Sequence, residues 1–229
     1  MAIAYETSLA PTAVQFLTAG ETETIAFNAG TGTNRVLLVC VQWVDQNNTL
    51  TGVTYNGVSM TSMGTQITQG AIKMQLWRLA GPASGSNNLA VTMGAGDNNS
   101  NALIAAWVAN GVDQTTPTDG YTTNQGTAST ANIVSTLTIT SATNDYIAVF
   151  YGSYNGTATI AATPTNYTER QDGNNAVGLT LEFGDAAGAA SVATSATWDN
   201  GAFTVDWIAL GCNLNQASTS RKVIIGPKP

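Results

Sequence analysis

Two long apolar runs dominate the pattern of hydrophobic and polar positions along the chain. The first, NRVLLVCVQW from Asn34 to Trp43, is rich in β-branched residues and lies between segments rich in Asn and Gly. Such a run is typical of a strand buried on both faces rather than of a short helix. The second, NDYIAVFYGSY from Asn144, repeats the polar start, the apolar middle and the aromatic end. The pattern therefore predicts an internal duplication.

Segments that follow the two runs also correspond to each other. AIKMQLW after the first run matches AVGLTLEF after the second, which aligns Leu76 with Leu181, and further along Ile104 aligns with Ile208. These pairs are 105 and 104 residues apart, so the two offsets agree within one residue. If both copies build one sandwich, their apolar strands should share a single core. That core would contain Val36, Leu38, Val39, Val41, Ile147, Val149, Leu179, Leu181, Ile208 and Leu210.

The pattern divides the chain into five parts. Residues 22–112 and 131–214 are the two repeats, joined by a connector of turn-forming residues, 113–130. Residues 1–21 are an N-terminal arm or an edge strand, and both alternatives stay open; residues 215–229 are a C-terminal tail. No segment has a convincing helical period. The fold class predicted is all-β: an antiparallel β-sandwich, jelly-roll-like, built from two internal repeats.

Local patterns place individual turns and side chains. In VTYNGVSM, Asn56 and Gly57 lie between two β-prone runs and predict a two-residue type I′ hairpin. Residues 71–79 alternate between apolar and polar positions, and Trp77 falls among the polar ones, which favours an exposed indole. Glu182 alternates in the same way with its apolar neighbours in LEFGD, so it is predicted to point outward.

Composition and charge exclude several classes of partner. Only 9% of residues are charged, so hydroxyl and amide groups must cover the surface, and the net charge is −7 from 14 acidic and 7 basic residues scattered without runs. Binding to nucleic acid needs clustered Lys and Arg, so that partner is not expected. The chain also lacks a basic, then apolar, export signal and any run of 18 apolar residues. We therefore expect no Sec export and no membrane span.

Both cysteines lie inside apolar runs. Cys40 and Cys212 are therefore predicted to be buried free thiols, since small secreted domains place their disulfides at loop positions. A disulfide between them would need a short Cα separation, which a sequence does not show.

Catalytic and metal chemistry has few candidates. The chain contains no histidine, which excludes Ser/His/Asp and Cys/His catalysis and any histidine-ligated metal. Glu182 and Asp185 are the nearest pair of carboxylates for a glycoside hydrolase, a remote alternative, and no catalytic residue is predicted. Three oxygen-rich loops, GDNNSN from Gly96, QDGNNA from Gln171 and WDNG from Trp198, lack the spacing of a 12-residue calcium loop. Turns that satisfy their own backbone are the preferred interpretation, so no cofactor or metal is predicted.

Five tryptophans suggest a surface for carbohydrate, because exposed aromatic faces stack on sugar rings. Trp43 and Trp107 lie in apolar runs and are assigned to the core. Trp77, Trp198 and Trp207 remain as candidate binding residues, although each is equally well explained by covering the edge of a sandwich.

The tail carries the candidate docking residues. An apolar trio, Val223, Ile224 and Ile225, follows Arg221 and Lys222 and is too small to form a core. It either pairs with the body of the protein or docks on a neighbouring subunit, and a passive tail is the alternative.

The order of NRVLLVCV, VTYNGVSMT, LWRLAGPASGSNNLAVT and NGVDQTTP resembles a β-sandwich module of bacteriophage virion proteins and of some bacterial surface proteins. The resemblance covers residues 22–118 well and the second copy more loosely. It implies a jelly-roll-like sandwich used for display, adhesion or capsid decoration, and it supplies no catalytic residues. A chain that starts with methionine and has no export signal fits a phage product assembled in the host cytoplasm.

The resemblance leads to a functional expectation. The chain is expected to be a non-enzymatic virion structural protein exposed on the particle surface, where it decorates the capsid. Its partners would be a major capsid or tail protein and further copies of itself in a homo-oligomer. The alternative is a tail or surface adhesin that binds a host-surface glycan.

Overall fold

The computed structural model describes residues 1–44, 48–94, 100–129, 132–156, 161–199 and 203–218. These residues form β-strands and turns, with no helix among them, and hence none that could span a membrane. In chain order the strands are β1 (Ala4–Phe16), β2 (Thr22–Asn28), β3 (Val36–Val44), β4 (Leu50–Tyr55), β5 (Val58–Ser59), β6 (Thr61–Ser62), β7 (Ile67–Gln69), β8 (Ile72–Ala80), β9 (Ser86–Met93), β10 (Ser100–Asn110), β11 (Thr118–Ala128), β12 (Ile133–Ile139), β13 (Tyr146–Tyr154), β14 (Ala161–Thr165), β15 (Thr168–Asn174), β16 (Leu179–Ala187), β17 (Val192–Asp199) and β18 (Val205–Leu214).

The strands form four antiparallel sheets, two in each half of the chain. In the first half the large sheet has the order β1-β10-β3-β8-β6, with β7 also paired to β8, and the small sheet has the order β2-β9-β4-β5. In the second half the large sheet is β11-β18-β13-β16-β15 and the small sheet is β12-β17-β14. Apart from β5, which has no counterpart among the described strands of the second half, corresponding sheets follow the same strand order. The predicted all-β, antiparallel sandwich architecture is confirmed.

Three buried clusters lie between the four sheets. The central core, where the two large sheets face each other, includes Leu38, Cys40, Leu76, Trp107, Phe150, Leu181, Leu210 and Cys212. The first outer core, between the sheets of the first half, includes Leu37, Val39, Val41, Val53, Trp77 and Leu89. The second outer core, between the sheets of the second half, includes Leu137, Ile147, Val149, Tyr151, Trp198 and Trp207. The molecule is thus two sandwiches packed together through their large sheets.

This layering explains the two apolar runs. Successive side chains of a strand point to opposite faces, and both faces of a large sheet are covered. In β3, Leu38 faces the central core and Val39 faces the first outer core. In β13, Phe150 and Val149 divide in the same way between the central and second outer cores. Alternation is therefore unnecessary in these strands, and every position can be apolar.

The expectation of one shared core is wrong in part. Leu38, Leu181 and Leu210 do share the central core. Val39 and Val149 do not, because each points away from the central core into the outer core of its own half. Because successive side chains of a strand point to opposite faces, the residues predicted to share one core are distributed among three cores.

Two segments outside the predicted repeats carry strands. The N-terminal segment contains β1, which is the edge strand of the first large sheet and pairs with β10. The predicted connector, residues 113–130, contains β11, which pairs with β18 along the edge of the second large sheet. The sequence TDGYTTNQGTA shows no apolar alternation because an edge strand leaves most of its side chains half-buried or exposed.

Left-handed backbone conformations mark the turns that start or reverse strands. Asn56 and Gly57 have φ values of 50° and 75°, and Tyr55 pairs with Val58 across them. The predicted type I′ hairpin is confirmed, since both of its central residues need positive φ.

Candidate functional site

The three candidate tryptophans are buried. Trp198 is fully buried and donates a hydrogen bond of 2.7 Å to the hydroxyl of Ser135. Trp77 and Trp207 are each 9% exposed. The ring of Trp207 lies over Gly126, where a Cβ atom would come within 2.8 Å of the ring. A buried indole presents no face to a sugar ring, so the structure provides no aromatic platform at these positions.

The expectation that Trp77 is exposed is wrong for a physical reason. Trp77 alternates with polar residues in β8, but the small sheet of the first half covers that face of the strand. Lys73 and Gln75 are buried on the same strand, at 4% and 8% exposure. A polar residue therefore does not mark the solvent side of a strand whose sheet is covered on both faces.

The two candidate carboxylates do not form one site. Glu182 and Asp185 are both fully buried, so the expected outward orientation of Glu182 is wrong. They are three residues apart in β16, which places them on opposite faces of the sheet. Asp185 contacts Trp107 of the central core, whereas Glu182 contacts Tyr167 beside the second outer core. Two carboxyl groups on opposite faces are not arranged to act on one glycosidic bond.

Asp185 lies at the centre of a polar network that joins the two halves. The guanidinium of Arg170 donates to both carboxylate oxygens, at 2.6 and 2.8 Å. Trp107 donates to Oδ2 at 2.9 Å, and the hydroxyl of Tyr146 donates to Oδ1 at 2.8 Å. The guanidinium also lies 4.2 Å from the centre of the Tyr5 ring. Tyr5 and Trp107 belong to the first half, and the other three residues belong to the second.

The electrostatics of this network are those of a structural contact. The hydrogen bonds to Asp185 raise the pKa of Arg170, so the guanidinium keeps its positive charge. Burial, and then the hydrogen bond to Asp185, raise the pKa of Tyr146. Each oxygen of Asp185 accepts two hydrogen bonds, so the buried carboxylate is fully hydrogen-bonded within the contact between the two halves.

Glu182 is in a different environment. Its Oε1 atom accepts a hydrogen bond from the hydroxyl of Tyr167, but its Oε2 atom is buried and has no hydrogen-bond partner. Burial raises the pKa of Glu182 to about 7; the Tyr167 hydrogen bond opposes this rise, and the charges of Glu169 and Asp172 add to it. The group is therefore a buried acid whose charge is only partly compensated.

More polar groups surround Glu182 on the same face of the sheet. Thr180 and Ser153 are buried, and their hydroxyl oxygens also have no hydrogen-bond partner. Tyr151, which lies directly opposite Glu182 on β13, stacks on Tyr167 with ring centres 5.6 Å apart. Unpartnered buried polar atoms are uncommon in proteins, so three of them on neighbouring positions single out this region.

The remaining sequence candidates are placed as follows. Of the three oxygen-rich loops, QDGNNA includes the end of β15, whereas parts of GDNNSN and WDNG lie outside the described residues. The docking residues Arg221, Lys222, Val223, Ile224 and Ile225 also lie outside the described residues. Cys40 and Cys212 are buried free thiols, as predicted. Within the described ranges, no group of three or more Asp, Glu, Cys or His side chains is placed to hold a metal ion.

The outward faces of both small sheets are rich in hydroxyl groups and nearly uncharged. Their described outward-facing residues are Thr22, Thr24, Ala26, Asn28, Thr51, Gly52, Thr54, Ser59, Ser86, Asn88, Ala90 and Thr92 in the first half, and Val134, Thr136, Thr138, Thr163, Thr165, Ala193, Ser195, Thr197 and Asp199 in the second. Asp199, at the end of β17, is the one charged member of this set. We call these two surfaces the outer faces.

Sequence reasoning missed Arg170 and Tyr167, which are the main partners of the two buried carboxylates. Both lie in the polar segment NYTERQDG, which has no strand pattern. A bulge between Glu169 and Gln171 interrupts the alternation, and Arg170 is its extra residue. The available signal was the rarity of charge: an arginine is conspicuous in a chain with seven basic residues.

Comparisons with known proteins leave the family open. No protein-family model matches the chain, and no curated protein matches it significantly.

Proposed function

We propose that this chain is a non-enzymatic structural protein of a bacteriophage virion, exposed on the particle surface as capsid decoration. The observation that carries the proposal is the pair of outer faces, which lie on opposite sides of the double sandwich. Each is a sheet surface of mostly short side chains, and Asp199 is the one charged residue among their described members. The resemblance of the first repeat to virion β-sandwich modules supports the same assignment.

Such faces suit broad contacts with other proteins. The centres of protein interfaces are depleted in charged residues, because a charge must lose its water when it is buried there. Threonine, serine and alanine also lose little side-chain entropy when they are fixed. Two outer faces per molecule would allow the chain to contact a shell protein on one side and a further copy of itself on the other.

The other classes have less support. A glycoside hydrolase needs two carboxyl groups on either side of one bond, and Glu182 and Asp185 lie on opposite faces of β16. A glycan-binding adhesin would use exposed aromatic rings, and Trp77, Trp198 and Trp207 are buried.

Localisation on purified phage particles tests the proposal. Particles of the phage that encodes the chain would be labelled with gold-conjugated antibody raised against the purified protein and viewed by electron microscopy. Regular label over the shell is the expected result. Label confined to the tail tip would favour the adhesin, and absence of the protein from the particles would overturn the proposal.

Single substitutions then test the outer faces. Thr24→Lys and Thr136→Lys each place a charge on one outer face and should weaken binding to shells that lack the protein by on the order of tenfold, since burial of an uncompensated charge costs more than about 1.4 kcal/mol. Thr65→Lys is a matched control, because Thr65 is exposed in a loop outside both outer faces. If Thr24→Lys and Thr136→Lys bind shells as tightly as wild type and Thr65→Lys do, the outer faces do not contact the shell.

The tail remains a second proposed docking element. Residues 221–225 combine two basic and three apolar side chains and would suit an acidic, partly apolar partner surface. Deletion of residues 219–229 should leave the sandwiches folded and weaken particle binding or oligomerisation, with the loss greater at low salt. Unchanged assembly by the truncated protein would make the tail a passive extension.

A further inference from the structure

The region around Glu182 contains an arrangement that the proposed structural role does not require. The edge strand β15 brings acidic and amide side chains of QDGNNA next to Glu182. In the strand register, Asp172 lies directly opposite Glu182 and Asn174 lies directly opposite Thr180. Directly opposed residues share one face of a sheet, with their Cβ atoms about 5 Å apart. Two carboxylates, an amide and a hydroxyl therefore form a cross-strand square.

The square combines a solvent-facing side with a buried side. Asp172 and Asn174 are exposed on the edge strand, so a small solute can approach from solvent. Glu182 and Thr180 are buried, and each has an oxygen atom without a hydrogen-bond partner. Ser153, directly opposite Thr180 on β13, adds a third unpartnered oxygen to the same face.

Among the residues that the structure describes, the neighbouring charges on this face are all negative. Glu169 and Asp172 act on Glu182, and its other titratable neighbours are the hydroxyls of Tyr167 and Tyr151, which carry no positive charge at neutral pH. Arg170 lies on the same strand but points to the opposite face, where it is paired with Asp185. An anionic site with unpartnered oxygens, and with no basic side chain near it in the described part of the chain, favours a bound cation.

We propose that Asp172, Asn174, Thr180 and Glu182 form a binding site for a hard divalent cation, with calcium as the ion that fits best. Calcium accepts carboxylate and amide oxygens in flexible geometry, and water fills the positions that the protein leaves open. Magnesium demands a stricter octahedron and gives up its water reluctantly. The two carboxylates would neutralise the charge of one calcium ion. A site with so few protein ligands belongs to the weak class, with a dissociation constant on the order of 10⁻⁴–10⁻³ M.

Calorimetric titration of the full chain with calcium chloride at pH 8 tests the site. Wild-type protein should bind calcium, and Asp172→Asn should weaken the affinity by on the order of tenfold, since one charged ligand is lost. Glu182→Gln should have a similar effect. Glu23→Gln, which removes one carboxylate from the first half, is the matched control and should bind like wild type.

The melting temperature provides a second readout that does not depend on the heat of binding. Millimolar calcium should raise the melting temperature of wild type and of Glu23→Gln. It should leave the melting temperature of Asp172→Asn nearly unchanged. The proposal is overturned if wild type shows neither binding nor a melting shift up to about 10 mM calcium. It is equally overturned if Asp172→Asn and Glu182→Gln both bind like wild type, because the ion would then lie elsewhere.

Discussion

The two halves of the molecule have the same strand order but different outer cores. In the first half, Trp77 on β8 packs into an apolar cluster. On the corresponding strand of the second half, β16, Glu182 occupies the same kind of inward-facing position, next to the unpartnered hydroxyls of Thr180 and Ser153. The same topology therefore accepts a large apolar side chain in one half and a buried acid in the other. The chemical character of each outer core is therefore set by individual side chains and not by the strand order, which the two halves share.

The turns that precede β3 and β13 show the same contrast at smaller scale. Asn34 and Asn144 both have positive φ, at 54° and 76°. The next residue is Arg35 in the first half and Asp145 in the second. Arg35 donates to the carbonyl oxygens of neighbouring loops, including Gly30 at 2.7 Å, whereas Asp145 accepts a hydrogen bond from a backbone N–H at 2.9 Å. One backbone shape is thus held in place by opposite charges, because each side chain satisfies different backbone groups.

The strongest test of the comparison is whether the halves unfold together. Leu181→Ala creates a cavity in the central core, which both halves share, and should lower the free energy of unfolding by about 4 kcal/mol. The loss should affect both halves at once. The measurement is urea titration followed by tryptophan fluorescence in two variants, one that keeps only Trp43 and one that keeps only Trp198. The unfolding transitions of the two variants should coincide. Separate transitions would mean that the two sandwiches are independent units.

Arg170→Ala should have the next largest effect, because it leaves Asp185 buried with only its two neutral donors. Loss of one partner of a buried ion pair costs about 3–5 kcal/mol, and the lower end applies here since the Arg170 side chain is 25% exposed. Arg78→Ala is a matched control: Arg78 also bridges the halves, but its partners are the neutral oxygens of Thr118. The control should lose only about 1 kcal/mol in urea titration. Equal losses would show that the charge of Asp185 is not what matters.

The difference between the halves also shows how far sequence reasoning reaches. Strand β3 was predictable because its residues are apolar on both faces, and the hairpin at Asn56 and Gly57 was predictable because few residues adopt positive φ. The layering of two sandwiches was not predictable, since the same apolar run fits one shared core or two outer cores. The environment of Glu182 was missed because a two-residue period assigns a face but does not say which faces are covered. Arg170 was missed because a bulge interrupts that period.

The thiols of the central core should be unreactive and costly to alter. Burial raises the pKa of Cys40 and Cys212, the latter to about 12, so thiolate is scarce at neutral pH. Native protein should react slowly with a thiol reagent, and both residues should react at once in denaturant. Cys40→Ser should lower the free energy of unfolding by about 2 kcal/mol, since it buries a hydroxyl without a partner. Rapid labelling of native protein would contradict the burial of both side chains.

The smallest expected effect is a pH dependence of stability that arises beside the second outer core and not in the first. The pKa of Glu182 is raised from 4.5 in the unfolded chain to about 7 in the folded protein, so the folded state binds the proton more tightly. This contribution to stability is fully present below pH 4.5, declines as pH rises towards 7, and is lost above 7. Wild type in the presence of a chelator should therefore be less stable at pH 8 than at pH 5 by about 2 kcal/mol, after allowance for relaxation around the ionised group.

Two variants assign this slope to one residue. Glu182→Gln keeps the shape of the side chain and cannot ionise, so its free energy of unfolding should change less than that of wild type between pH 5 and pH 8. At pH 8 it should be the more stable protein, because wild type then holds a buried charge without full compensation. Glu23→Gln removes a carboxylate from the first half, whose outer core contains no buried acid among the described residues, and it should keep the wild-type slope. Urea titrations at the two pH values measure all three proteins. If Glu182→Gln retains the slope of wild type, the pH dependence arises elsewhere and the contrast between the two outer cores has no energetic consequence.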